Sequence, residues 1–403
     1  SNIDLSSYPG GKDLLVTTST DEIMKQVMKN LFDNLELCVD TYKFFYTKNV
    51  NDPLENSVSV QNTAILADDS QFDFYKHVIK AVALDQMCYG STKPTYTLID
   101  EIKKFNPDVI HMHNIHGFYL DMFVLFSFLK KSNIKIIWTL HDCWSYTGHC
   151  AYYTYKDCNQ WQIECKSCKD TKDYPPSLTS HCNKNFKKKK ELFCGLNNLT
   201  IICPSQWLAD DVKKSFLKEY PIKVIHNGID TEIFQPNSSD ILNNYDLNSK
   251  KIILGVASVW DKRKGLNYFI ELNQRLSDEY KIVLIGLTDR QIKKLPDSIL
   301  GIKRTENAKE LAKWYSAAEV FFNPTLEDNY PTTNLEAIAC GTPVVTFNTG
   351  GSPESAFVPE CGYCIEKNVD AFLNILQDIK PIKVIPKNID MEYMCNSYID
   401  IYK

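Results

Sequence analysis

Two α/β domains, each built on a mainly parallel sheet and facing one another across a cleft, are what this sequence predicts. Three observations predict them. Short apolar runs recur with room for one amphipathic helix between them. Most of these runs end in polar residues, as the strands of an open parallel sheet do where ligands bind outside their carboxyl ends. The chain has 403 residues, more than a single hydrophobic core normally holds.

In chain order, DLLVTT (from Asp13) and LCVDTYKFFYT read as strands around the helical pattern DEIMKQVMKNLF. DVIHMHN, KIIWTLHD, LTIICPS and IKVIHNG follow, each an apolar run with a polar end. These make a first domain of residues 1–228, with a cysteine-rich insertion at about 143–182. After IHNGID and a polar segment, 237–250, the strand-like runs KIILGVASV, KIVLIGL, VFFNPT and TPVVTF alternate with the helical LNYFIELNQRL and KELAKWYSAAE, giving a second domain of 229–385. The final stretch, 386–403, reads as a helix that packs back on the first domain.

Composition narrows the function. Hydrophobic content of 44% and charged content of 24% are those of a globular protein. A formal net charge of −5 gives no overall attraction for nucleic acid. No run of about 18 apolar residues is present, and the first residues lack a secretory apolar core. Several of the fourteen cysteines sit within apolar segments, so a reducing cytoplasm is the expected setting.

The informative stretch is LEDNYPTTNLEAIACGTPVV, residues 326–345. It leaves one apolar run, turns through Pro331, Thr332 and Thr333, and enters a short helix that closes at Gly341. The first amides of such a helix lack internal partners and carry the positive end of its dipole, which suits an anion. Glu336, one turn in, is placed for a ribose diol, and Asp328 for a sugar beyond the phosphates. The same acids equally suit the simple complementing of a helix N-terminus.

DNYPTTNLEAIACGTPVV resembles the E-x7-E segment of retaining GT-B glycosyltransferases of family 4 (group 1). Asp328 stands where the family has Glu, and Glu327 beside it leaves the register open by one residue. IHNGID resembles the family's interdomain segment, and GVASVWDKRKG the first strand and basic loop of its C-terminal domain. These pieces, with TLHDCW, are most similar to the branch that builds bacterial surface polysaccharides. The resemblance implies two Rossmann-like domains in a GT-B arrangement, the first binding a glycan or lipid-linked acceptor and the second a nucleotide-diphosphate sugar. It implies catalytic roles for His141 and Asp328. Donor binding falls to Arg263, Lys264, Glu327, Asn329, Tyr330, Pro331, Thr332, Thr333, Asn334 and Glu336. The basic pair would replace a catalytic metal at the diphosphate. A nucleotide-sugar epimerase and a non-catalytic sugar-nucleotide-binding partner are the alternatives.

Three further features stand apart. Cys150, Cys158, Cys165 and Cys168, ending in C-x2-C, match a structural zinc site, with Cys143 as a substitute ligand and free buried thiols as the alternative. His111, His113 and His116 have metal-like spacing, but the first two fall on a buried strand and are read as structural or acceptor-lining. Lys187, Lys188, Lys189 and Lys190 form a run that is either simply solvated or docks the enzyme on the inner membrane face.

Overall fold

The computed structural model describes residues 43–47, 57–61, 71–168, 170–238 and 240–403. The strand and helix expected at residues 13–32 lie outside them. The first sheet holds β1 (Lys43–Thr47), β2 (Ser57–Gln61), β3 (Val109–Met112), β4 (Lys135–Thr139), β5 (Leu199–Cys203) and β6 (Ile222–Val224) in the order β2-β1-β3-β4-β5-β6. β3 to β6 are parallel, whereas β1 pairs antiparallel with both β2 and β3. This sheet is therefore mixed at one edge, which the apolar run of β1 alone did not indicate.

The second sheet is parallel throughout. It comprises β7 (Lys251–Val256), β8 (Tyr280–Ile285), β9 (Ile299–Ile302), β10 (Val320–Asn323), β11 (Val344–Phe347) and β12 (Gly362–Ile365), in the order β12-β11-β10-β7-β8-β9. The order reverses between β7 and β10, and at that point the loops leaving the two strands splay to opposite faces and open a crevice. Arg263 and Lys264 follow β7, and the acids follow β10.

Strands covered on both faces must be apolar at successive positions, which is why these runs scarcely alternate. Ile252, Leu254 and Phe321 pack against Trp314, Tyr315, Leu335 and Ile338 on one face. Ile253, Val320 and Phe322 meet Phe269, Leu272 and Phe372 on the other. Each such side chain contributes about 1.5–3 kcal/mol on leaving water. The intervening helices start at side-chain caps where the sequence supplies them: Asn307 accepts from Glu310 N, and Asn368 from Ala371 N.

The domains touch at several points. Glu354 accepts from the amides of Gln206 and Trp207 at 2.7 and 2.8 Å, so a second-domain carboxylate occupies the start of the first-domain helix Gln206–Val212. The last helix, Met391–Tyr402, lies on the first sheet, where Tyr398, Ile401 and Tyr402 pack with Val109, Ile137 and Ile202. To reach it the chain returns alongside its outward path: Ile229 N donates to Ile389 O (2.9 Å) and Met391 N to Ile229 O (2.8 Å).

Candidate active site between the domains

The helix after β10 is Thr332–Ala339, and its N-cap is Pro331, which makes no side-chain cap bond. Thr332 and Thr333 stand inside the first turn. Proline's fixed φ and missing N–H suit the entry, and the Thr332 and Thr333 amides, in the first turn, have no intrahelical acceptor. Asn334 departs from expectation. It is fully buried, accepts from Asn323 Nδ2 (2.8 Å) and donates to Ser355 Oγ (2.9 Å), so its side chain binds the helix to the protein rather than to a ligand. Glu336 is half-buried and accepts from the Tyr315 hydroxyl at 2.9 Å. Burial raises its carboxyl above the usual range, against the pull of the Tyr315 and Thr332 hydroxyls.

The two neighbouring acids, ambiguous in sequence, part company in space. Asp328 receives Lys264 Nζ at 2.6 Å and lies 3.6 Å from Arg263 Nη1. Burial pushes its carboxyl up, but Lys264, Arg263 and the Asn329 amide outweigh this and hold it below the usual carboxylate range. Glu327 turns to the other domain. Its two oxygens accept from Tyr153 N (3.0 Å) and Tyr155 N (3.2 Å), within the cysteine-rich insertion. It is wholly buried there, so the role in substrate binding expected of Glu327 does not fit its placement. The acid in the crevice is Asp328.

Arg263 is also tied to the insertion. Its guanidinium carbon lies 4.0 Å over the Tyr152 ring, and Nη1 donates to Glu327 O at 2.9 Å. Nε is buried without a hydrogen bond and faces the Asp261 carboxylate at 3.7 Å. Gly350, with φ of +56°, passes so close to this loop that a Cβ would stand 2.1 Å from Asp328 O; no other residue fits.

Asn329 and Tyr330 face the first domain. Ser205 donates to Asn329 Oδ1 (2.6 Å), and the Tyr330 ring stacks on His226 at 4.7 Å. Asn329 Nδ2 reaches Leu140 O at 3.5 Å, which brings the end of β4 and the adjacent His141 up to the acidic loop. His141 stacks on His113, with His113 Nδ1 2.9 Å from His141 Nε2. Burial lowers its pKa against the opposing charge of Asp142, so the ring favours the neutral form, a hydrogen-bonding group and not a cation. His111 is structural: Tyr402 and Thr139 hydroxyls occupy its two nitrogens at 2.7 and 2.8 Å. Asp142 lies 3.1 Å from His116 Nε2 and accepts from Trp144 N at 2.9 Å.

The lysine run is not a uniform basic surface. In the helix Cys182–Phe193, Lys187 pairs with Glu164 and Lys188 with Glu191, each at 2.9 Å. Lys189 is buried at 2% exposure and donates to Trp144 O and Thr147 O. Its long stem lets the ammonium reach two carbonyls through the helix face, so it cannot join a membrane-docking patch. Cys150, Cys158, Cys165 and Cys168 are free thiols in the insertion, and Cys143 is a buried free thiol. Among the described residues no group of three or more His, Cys, Asp or Glu is arranged to hold a metal ion. No helix there is long and apolar enough to cross a membrane.

Sequence reasoning missed Tyr152, Ser205 and Glu354. Only Ser205, polar at the end of an apolar run, carried a signal. The Glu327 clamp leads to a prediction. Burial lifts this carboxyl to about 7, although the amides of 153–155 and Arg263 pull it down. In the unfolded chain it ionises near its ordinary 4.5, so between there and about 7 the folded state retains a proton the unfolded state has lost. Stability contributed at this site therefore falls as pH rises through that window. Between pH 5 and 7.5 the wild type is expected to lose about 2 kcal/mol more than Glu327→Gln in urea titrations. Parallel losses would show that Glu327 ionises normally.

The model described as Glycosyltransferase Family 4 matches residues 57–233, and that described as Glycosyl transferases group 1 matches 250–379. The colanic acid biosynthesis glycosyl transferase WcaC of Escherichia coli K12 is 26% identical over 278 residues, covering 66% of this chain and 65% of its own. Alpha-maltose-1-phosphate synthase of Mycolicibacterium smegmatis is 24% identical, over 38% of this chain and 45% of its own. The chain thus spans just under two thirds, and under half, of these relatives. Among solved structures, sucrose-phosphate synthase of Thermosynechococcus elongatus superposes with a TM-score of 0.59 at 18% identity, over 77% of each chain. Anabaena Alr3699/HepE, solved with UDP, gives 0.54 at 14% identity, over 81% of this chain and 88% of that one. Both share the two-domain GT-B fold.

Proposed function

The chain belongs to the family 4, group 1 glycosyltransferases, and from that premise we propose that it is a retaining enzyme of surface-polysaccharide synthesis. It moves a sugar from a nucleotide-diphosphate sugar to a glycan or lipid-linked acceptor at the cytoplasmic side. The observation that carries this reading is the set of groups at the β7/β10 crevice: the Arg263 guanidinium, Lys264 at its side, and a helix start whose Pro331 N-cap supplies no side-chain hydrogen bond. A diphosphate satisfies all three at once. That HepE was solved with UDP-glucose as well as UDP supports a nucleotide-sugar donor.

In this mechanism the diphosphate lies between Arg263, Lys264 and the Thr332 and Thr333 amides, where charge develops as the glycosidic bond breaks. Glu336 accepts the ribose hydroxyls while keeping its bond from Tyr315. Asp328 is paired with Lys264 before donor arrives, and diphosphate draws that ammonium away, freeing the carboxylate for sugar hydroxyls. His141, favouring the neutral form, hydrogen-bonds the donor sugar from the first domain. The departing phosphate takes the acceptor's proton, so no separate protein base is required. The insertion, seated on Arg263 through Tyr152, shields the diphosphate from water.

The test is a stabilisation screen with UDP-, GDP- and dTDP-sugars. A cognate donor at about 100 times its dissociation constant raises unfolding free energy by roughly 2.7 kcal/mol. One nucleotide class should stabilise, and it should be consumed only when an acceptor glycan is added. Conversion of the donor without acceptor, or no stabilisation by any class, would overturn the reading.

A further inference from the structure

β3 and β4 run side by side and parallel, with Met112 opposite Trp138. The chain therefore leaves the sheet at neighbouring points, and His113, just after β3, comes up beside His141, just after β4. We propose that His113 is a positioning residue for His141, an inference that rests on the role given to His141 at the donor sugar. The last helix, Met391–Tyr402, holds His113 in its place.

His113 Nδ1 stands 2.9 Å from His141 Nε2. The ring planes are 16° apart with centres 5.2 Å apart, offset far enough that these nitrogens meet at the ring edges, where N–H and lone pair lie. A neutral imidazole has one donor and one acceptor nitrogen. With Nε2 given to His113, only Nδ1 of His141 is left for a sugar hydroxyl, and its role is the opposite of that of Nε2. The contact sets the tautomer and the ring orientation together. Remove it, and either nitrogen can take either role.

His113 is itself fixed from two sides. Trp138 Nε1 donates to His113 O at 3.0 Å, which pins the backbone. The period of two along a strand puts His111 and His113 on one face, and their ring centres lie 4.2 Å apart. His111 is held in turn, because the Tyr402 hydroxyl and Thr139 Oγ1 occupy its nitrogens at 2.7 and 2.8 Å, and Tyr398 reaches Thr139 Oγ1 at 3.0 Å. Burial lowers His111 to about 3, so it supports its neighbour as a neutral ring. Both tyrosines come from the last helix, so the end of the chain acts on His141 through two intervening rings.

The test uses the donor that stabilises the chain among UDP-, GDP- and dTDP-sugars, with turnover read as nucleoside diphosphate released when an acceptor glycan is present. His113→Phe keeps a ring against His111 but offers His141 no nitrogen. Its kcat should fall about tenfold, while KM for the donor stays within about twofold of wild type. His113→Asn, whose amide restores a polar atom near the place of Nδ1, should recover most of the loss. His141→Ala should lose about 100-fold, and adding His113→Phe to it should cost nothing more, since a positioning residue acts only through the group it positions. Additive losses, or wild-type turnover in His113→Phe while His141→Ala is impaired, overturn the role of His113 and leave that of His141 standing. Full turnover in His141→Ala overturns both roles. Nitrogen-15 NMR of the unmutated, histidine-labelled chain decides the matter even where a variant folds poorly. His141 should show one protonated and one unprotonated ring nitrogen, and two averaged signals would overturn the positioning.

Discussion

Arg263→Ala is expected to lower kcat/KM for the donor by about 10²–10³, the effect typical of removing one preorganised group from developing charge. The fold should survive, because the guanidinium touches Glu327 O, Asp328 and the Tyr152 ring at the crevice and not in either sheet core. Arg263→Lys should recover only part of the loss, since an ammonium restores charge but not the planar bidentate fork. Near-UV circular dichroism controls for folding, and steady-state kinetics give the number. Turnover within about threefold of wild type in the alanine variant would remove Arg263 from the diphosphate site.

Glu336→Ala is the second large effect. Two hydroxyls held by one carboxylate contribute about 3 kcal/mol, on the order of 100-fold in donor affinity. Turnover should fall with it, and the thermal stabilisation given by the cognate nucleotide should disappear. Tyr315→Phe separates ligand binding from internal bonding: it removes the hydroxyl that Glu336 accepts from, yet should leave nucleotide recognition largely intact. Full turnover in Glu336→Ala would disprove a nucleotide-ligand role.

The second domain was legible because its strands are covered on both faces and helices such as Ala308–Ala317 and Val369–Ile375 carry caps in their own sequence. Arg263, Lys264, Asp328 and Glu336 could be picked out as candidates because each stands at a fixed distance from a strand end or helix start. The register between Glu327 and Asp328 was not. It is set by the amides of Tyr153 and Tyr155, on a segment far away in sequence. Asn334 looked like a ligand residue because polarity at a helix start is ambiguous, and only the arrival of Asn323 and Ser355 turns it inward. Lys189 is the sharpest case. Nothing in KKKK marks one of four as internal, and the difference comes from which helix face meets Trp144. Tyr152 gave no sign at all, since its partner is a guanidinium in the other domain.

The outward and returning strands of the chain meet at Ile229 and Ile389, bonded to one another. Because the final helix belongs to the first domain's surface, the halves are joined at two points that sit side by side. Such a double joint resists sliding and favours swinging about a single axis near residues 228–230 and 389–391. Any opening that admits a donor therefore parts the Glu327 and Glu354 contacts, while the joint itself keeps its pairing.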